Sequence, residues 1–116
     1  MRKRDKMKFM KYNARKFSWK GINGWAYSSK EDFSKMSCAY IVVTGRHGKI
    51  KNTKSDRLYF VIEGGGQFII KDEPEKVREG DVVIIPKNTP FDYIGKMKLL
   101  LVDSPAFDPE ADVKME

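Results

Sequence analysis

Apolar residues in this chain fall in short runs of strand length, split by polar, glycine-bearing or proline-bearing breaks. Almost no segment repeats its apolar positions at helical spacing, so the pattern predicts many short strands and tight turns. Tyr12 to Trp19 and Gly24 to Ser28 read as two opening strands, and SSKEDFSKMS as a polar connection with at most one helical turn capped by Ser29. Ser37 to Thr44 reads as a strong strand, followed across GRHGKI by a weaker one through Lys51 and Thr53. Arg57 to Ile62 is the richest strand in aromatic and β-branched residues. EGGG then predicts a turn before a strand from Gln67 to Lys71, and KDEPEK a hairpin loop. Val82 to Ile85 follows, then the elbow PKNTP, in which two prolines fix φ and remove donors. Phe91 to Ile94 and Met97 to Val102 complete the predicted sheet, and the tail SPAFDPEADVKME is expected to lie across the surface.

Strands this short and frequent predict an antiparallel barrel or sandwich of the all-β class. Some are apolar on both parities: Leu58, Phe60 and Ile62 on one side, Tyr59 and Val61 on the other. A strand buried on both faces needs a second covering layer, and in so small a domain a second copy of the chain supplies it. The expected assembly is therefore a homodimer.

At 116 residues the chain is long enough for one core and too short for two. No apolar run is long enough to span a bilayer, and the charged N-terminus lacks the apolar stretch of a secretory signal, so no membrane partner and a cytoplasmic location are expected. The single cysteine, Cys38, excludes an internal disulfide and fits a reduced compartment. The net charge of +7 first suggests nucleic acid, but residues 1–16 hold eight basic side chains against Asp5 alone, leaving fifteen of each sign in the rest. The body is neutral. A basic arm over residues 1–16, expected to be flexible, precedes a single domain over 17–116, and this distribution speaks against a nucleic-acid partner.

Two glycine-framed stretches carry a family pattern. Counting from Gly45 through G-x5-H-x-H-x3-E-x6-G lands on Lys51, Thr53, Arg57 and Gly64; counting from Gly80 through G-x5-P-x-G-x2-H-x3-N lands on Pro86, Asn88, Phe91 and Gly95. The chain therefore resembles the cupin superfamily, and the resemblance implies a double-stranded β-helix, the jelly-roll barrel. In metal-dependent cupins the histidines and glutamate of these motifs hold iron, manganese, nickel or zinc. Here Lys51, Thr53, Arg57 and Phe91 take those places. Lysine and arginine offer no lone pair and phenylalanine no donor atom, so the resemblance implies a barrel with no metal and no other cofactor. The only histidine, His47, falls outside the frame in the turn RHG and is expected to face solvent.

Two readings of this altered pocket stand side by side. Lys51 and Arg57 beside Thr53 and Tyr59 could clamp a small anion, a carboxylate or a sugar phosphate, with Phe91 and Tyr93 as a flat wall. Alternatively Arg57 pairs with an internal carboxylate, Lys51 reaches the mouth and Phe91 fills the barrel. Some metal-free cupins that the chain resembles are sugar or nucleotide-sugar isomerases and epimerases. That chemistry needs a base within reach of a proton next to a carbonyl, and no histidine stands at an inward frame position. Tyr40, Tyr59 and Tyr93 are candidate acids, whereas Asp92 is assigned to the outward parity. The expected function is a metal-free binder of a small anionic metabolite, with the isomerase or epimerase as the alternative.

Overall fold

The computed structural model describes residues 7–115, and strands dominate them. In chain order they are β1 (Arg15–Trp19), β2 (Ile22–Ala26), β3 (Ser37–Val43), β4 (Ile50–Asn52), β5 (Asp56–Ile70), β6 (Glu73–Arg78), β7 (Val82–Ile85), β8 (Phe91–Ser104) and β9 (Asp112–Lys114). All pairings are antiparallel.

Two long strands organise the barrel. β5 and β8 pair along nearly their whole length, from Asp56 opposite Ser104 to Ile70 opposite Phe91. The first half of β5 and the second half of β8 lie in a layer ordered β1-β2-β3-β8-β5-β7. Their other halves lie in a layer ordered β6-β5-β8-β4-β9. The register shifts between Val61 and Glu63, where the pair bends from one layer into the other. Just past the bend Gly66 faces Gly95. A Cβ on Gly66 would strike the Ile94 carbonyl, and Gly64 has a φ of +81°, so the triple glycine lets two backbones touch at the fold line. The predicted EGGG turn is thus a corner inside one continuous strand, and the two predicted pieces of β8 are likewise one strand.

Alternation sets the interior. β3 buries Ser37, Ala39, Ile41 and Val43, while β8 buries Met97, Leu99, Leu101 and Asp103 on one parity. Tyr59, Phe68, Phe91 and Tyr93 form an aromatic cluster with centroids 4.9 to 6.5 Å apart, filling one end of the barrel. The other end stays open as a cavity.

Both termini differ from expectation. The arm expected to run through residue 16 joins the sheet at Arg15, and Lys11 lies over the rings of Trp25 and Tyr40 at 4.5 and 4.6 Å. Residues 1–6 of that arm lie outside the described residues. The tail folds back rather than lying on the surface: Ala106 and Ala111 are buried, and β9 pairs with β4. Asp108 caps its short 3-10 turn by accepting a bond from the Glu110 amide. The connection after β2 holds one turn, in which the Asp32 and Phe33 amides both donate to the Ser29 carbonyl. Among the described residues no helix is long and apolar enough to cross a membrane.

Candidate functional site

The cavity encloses about 510 Å³, a volume suited to a small organic molecule. Its floor is built where β5 and β8 place two polar residues on inward parities. Arg57 stands directly opposite Asp103, and both side chains are almost fully buried, at 4% and 2% exposure. Arg57 Nε donates to Asp103 Oδ1 at 2.8 Å, and its Nη2 donates to Asp112 Oδ1 at 3.1 Å. Asp112 comes from the returning tail and also accepts Asn52 Nδ2 at 2.8 Å. The rings of Phe91 and Phe107 flank the guanidinium.

This network sets the charge of the floor. Burial works against the Arg57 cation, but Tyr59, Asp103 and Asp112 beside it more than offset that, and it stays protonated. Burial raises the Asp103 carboxyl to about 6 although Arg57 pulls it down, so Asp103 is ionised at neutral pH. Arg57 therefore faces two carboxylates, and the floor as a whole is not cationic.

Above the floor stands His47, which is buried rather than solvent-facing. Its backbone N–H donates to the Tyr93 carbonyl at 2.8 Å, tying its loop to β8. The imidazole lies against Tyr93 (4.6 Å between centroids), Trp19 (5.1 Å) and Phe91 (5.9 Å). Nδ1 is 2.8 Å from the Gly48 carbonyl oxygen, which can only accept, so Nδ1 carries the proton and Nε2 offers a lone pair. His47 lines the cavity, and among the described residues nothing bonds Nε2. Burial holds this imidazole below its ordinary pKa, with the Gly48 bond opposing, so it is a neutral base at physiological pH.

Tyr59 and Tyr93 share the wall with His47. Burial pushes both hydroxyls well above the usual phenol range. The Arg57 charge pulls Tyr59 the other way, and Tyr59 raises Tyr93 further. Both phenols keep their protons at any physiological pH and act as hydrogen-bond donors.

The structure brings three of the six expected residues together: Arg57, Tyr59 and Tyr93 line the cavity. Phe91 is buried beneath it in the aromatic cluster, filling the barrel. Lys51 and Thr53 point elsewhere. β4 buries Ile50 and Asn52, which puts Lys51 on the outer parity, and Thr53 is exposed with its amide and hydroxyl both bonded to the Ala111 carbonyl. The inward position is therefore Asn52, one residue off the motif count, because a one-residue slip reverses every side chain of a strand. Sequence reasoning also missed Asp103, Asp112 and His47. Trp19, Phe17 and Phe107 form apolar walls, while Arg15, Lys30 and Glu31 line the rim.

The donor set does not fit a divalent metal. Among the described residues no three His, Cys, Asp or Glu side chains converge, and the two carboxylates of the floor are held by a guanidinium.

Comparisons with known proteins agree with this architecture. A search of curated proteins finds no match in sequence. Among solved structures the chain is similar to Pac13 from Streptomyces, described as a nucleoside dehydratase, at 24% identity and a TM-score of 0.88, covering 96% of this chain and 92% of that one. A Pac13 variant with a histidine replaced by glutamine, holding uridine, matches at 23% identity and a TM-score of 0.89, with the same 96% and 92% coverage. KdgF from Halomonas matches at 14% identity and a TM-score of 0.75, covering 88% of this chain and 96% of that one. Oxalate decarboxylase from Bacillus subtilis matches at 17% identity and a TM-score of 0.85, with 99% of this chain on 34% of that one. These likenesses establish a shared fold. The cupin domain family matches residues 40–103, which span both glycine-framed motifs and nearly all of the two long strands β5 and β8, and the chain belongs to that family.

Proposed function

We propose that the cavity is a metal-independent acid–base site that eliminates water from a nucleoside-like molecule. The observation that carries this reading is His47: a buried neutral imidazole on the cavity wall, with Nδ1 engaged by Gly48 and Nε2 left to accept a proton. Such a base acts on a C–H bond only where a neighbouring carbonyl acidifies it. His47 Nε2 takes that proton, the C–H electron pair becomes the new C=C bond, and the C–O bond to the hydroxyl on the next carbon breaks. The leaving oxygen regains the proton from the His47 imidazolium and departs as water. Tyr59 and Tyr93, held protonated, donate to the carbonyl oxygen as negative charge develops on it.

The Pac13 structures support the choice of substrate class. Variants of that protein with uridine replace one histidine or one of two tyrosines, the same residue types that line this cavity. Its two tyrosines are separated along the chain by the same interval as Tyr59 and Tyr93. The charge balance supports a neutral sugar ring on the floor and any anionic group at the rim beside Arg15 and Lys30. This relocates the expected anion contact from Lys51 and Arg57 to the mouth.

The test is turnover of nucleosides carrying an aldehyde or ketone on the sugar, followed as the rise in absorbance of a conjugated product and the loss of one water by mass spectrometry. No product from any of these, together with no response of the His47 imidazole NMR signals to uridine, overturns the reading.

The same reading includes a homodimer. Trp25, Tyr40, Leu100, Phe60 and Val82 lie in register across the outer face of five strands, beside a second row of Cys38, Val102, Leu58 and Ile84. Val82 and Ile84 are 51% and 64% exposed on β7, which among the described residues pairs with β5 alone and leaves its other edge open. An open apolar edge can pair with its own counterpart about a two-fold axis, which supports a second copy of this chain as the occupant.

A further inference from the structure

Asp92 occupies the parity of β8 that should face outward, yet it is 2% exposed. The loop 45–48 crosses over it, fixed by the Arg46–Ile94 bridge and by the Gly95 amide donating to the Gly45 carbonyl at 3.1 Å. Beneath that loop every oxygen of the carboxylate is used. Oδ1 accepts the amides of Gly48 and of Tyr93, each at 2.7 Å, and Oδ2 accepts Arg46 Nε at 2.6 Å. One side chain therefore grips the residues on both sides of His47 together with the strand that carries Tyr93.

Gly48 transmits this grip. Its amide is held by Asp92, while its carbonyl accepts Nδ1 of His47 at 2.8 Å. A φ of +101° lets one residue turn both groups toward their partners, a conformation that side-chain-bearing residues resist. Burying a carboxylate is costly unless its bonds are made, and these three bonds all converge on the mounting of one imidazole.

We propose that Asp92 is a positioning residue that, through Gly48, holds His47 in the Nδ1-protonated tautomer with Nε2 open to the cavity. The inference rests on the reading of His47 as the base, but its test needs no ligand and no turnover. His47 is the only histidine, so its ring nitrogens give unambiguous ¹⁵N signals.

In the unliganded wild-type protein those signals are expected to report Nδ1 protonated and Nε2 bare. Asp92→Asn keeps the shape but sets an amide donor against either Arg46 Nε or the two backbone amides. It is expected to speed exchange of the Gly48 amide hydrogen at least tenfold and to convert His47 to a mixture in which the Nε2-protonated form dominates. Amides shared between β2 and β3 should exchange at the wild-type rate. If Asp92→Asn does not fold, Gly48→Ala supplies the same readout, because a Cβ there meets nothing within 4 Å and only the turn of the peptide is strained. An Nε2-protonated ring in the wild type overturns the proposal, as does a folded variant of either kind that keeps the wild-type tautomer. If the tautomer shifts as expected while the wild type turns over no carbonyl nucleoside, the positioning stands and the catalytic reading fails.

Discussion

Replacing Arg57 with methionine tests the floor most directly, because its effect is predicted to depend on pH. Arg57 and Asp103 are almost fully buried and 2.8 Å apart, so removing the guanidinium strands a carboxylate in a low-dielectric interior. Breaking one side of such a pair costs about 3–5 kcal/mol. For a 116-residue chain that corresponds to a fall in Tm of roughly 12–20 °C at pH 7. Asp103 already has its pKa raised to about 6 by burial, with Arg57 pulling it down. Loss of Arg57 removes that downward pull, so Asp103 in the variant titrates higher still. A carboxyl whose folded pKa lies above its unfolded value gives stability that is full below the unfolded value and is lost as pH rises through the folded one. The deficit of Arg57→Met should therefore be largest at pH 7 to 8 and shrink toward pH 5, where folded Asp103 is neutral. Thermal melts of both proteins across pH 5 to 8 measure it, and Arg57→Met/Asp103→Leu should recover most of the loss at pH 7. A deficit under about 1 kcal/mol at pH 7, of the size of an exposed pair, would refute the reasoning. So would one that does not change with pH.

Three further outcomes are expected. His47 has a pKa lowered by burial, so the folded state holds fewer protons than the unfolded one just below pH 6.5; its contribution to stability is full above that value and is lost as pH falls through the lowered folded pKa, and turnover should show an acid limb below pH 6.5. NMR titration of the imidazole checks the first point, and His47→Gln should cut turnover by ~100-fold or more with little change in Tm. If the proposed dimer forms, Ile84→Lys, at an exposed position on β7, should sediment as a monomer in analytical ultracentrifugation while keeping a cooperative melt; a wild-type protein that is itself monomeric overturns the dimer. Lys51→Ala should leave uridine binding unchanged by calorimetry, since Lys51 does not line the cavity; a tenfold weakening would restore it to the site.

The barrel was legible because alternation and glycine spacing are local signals. Arg57 came from the motif count, and Tyr59 and Tyr93 from alternation along the two long strands, whose many paired residues hold the phase of such a count. Lys51 and Thr53 were misplaced because β4 is only three residues long and ends in a turn, where a count carried over from a motif has nothing to hold its phase. His47 and Asp92 were missed for a related reason. A loop that crosses a strand's outer face buries what alternation assigns to solvent, and only the tertiary bonds to the Gly48 and Tyr93 amides reveal it. Asp112 reaches the floor from a tail whose prolines and charges resemble a surface segment; the one available signal was the need of a buried Arg57 for a counter-ion.

Because β5 and β8 each serve both layers, neither layer can be edited alone. A single inserted residue ahead of the Gly64–Gly66 corner would flip the side chains of β5 up to the corner, trading Arg57 and Tyr59 for Leu58 and Phe60 on the cavity side. The segment 27–36, which contributes Ser28, Ser29, Lys30 and Glu31, lies outside both long strands, so a change of length there leaves their phase intact. Sequence drift there can retune which guests are admitted while the polar groups of the floor and wall keep their places.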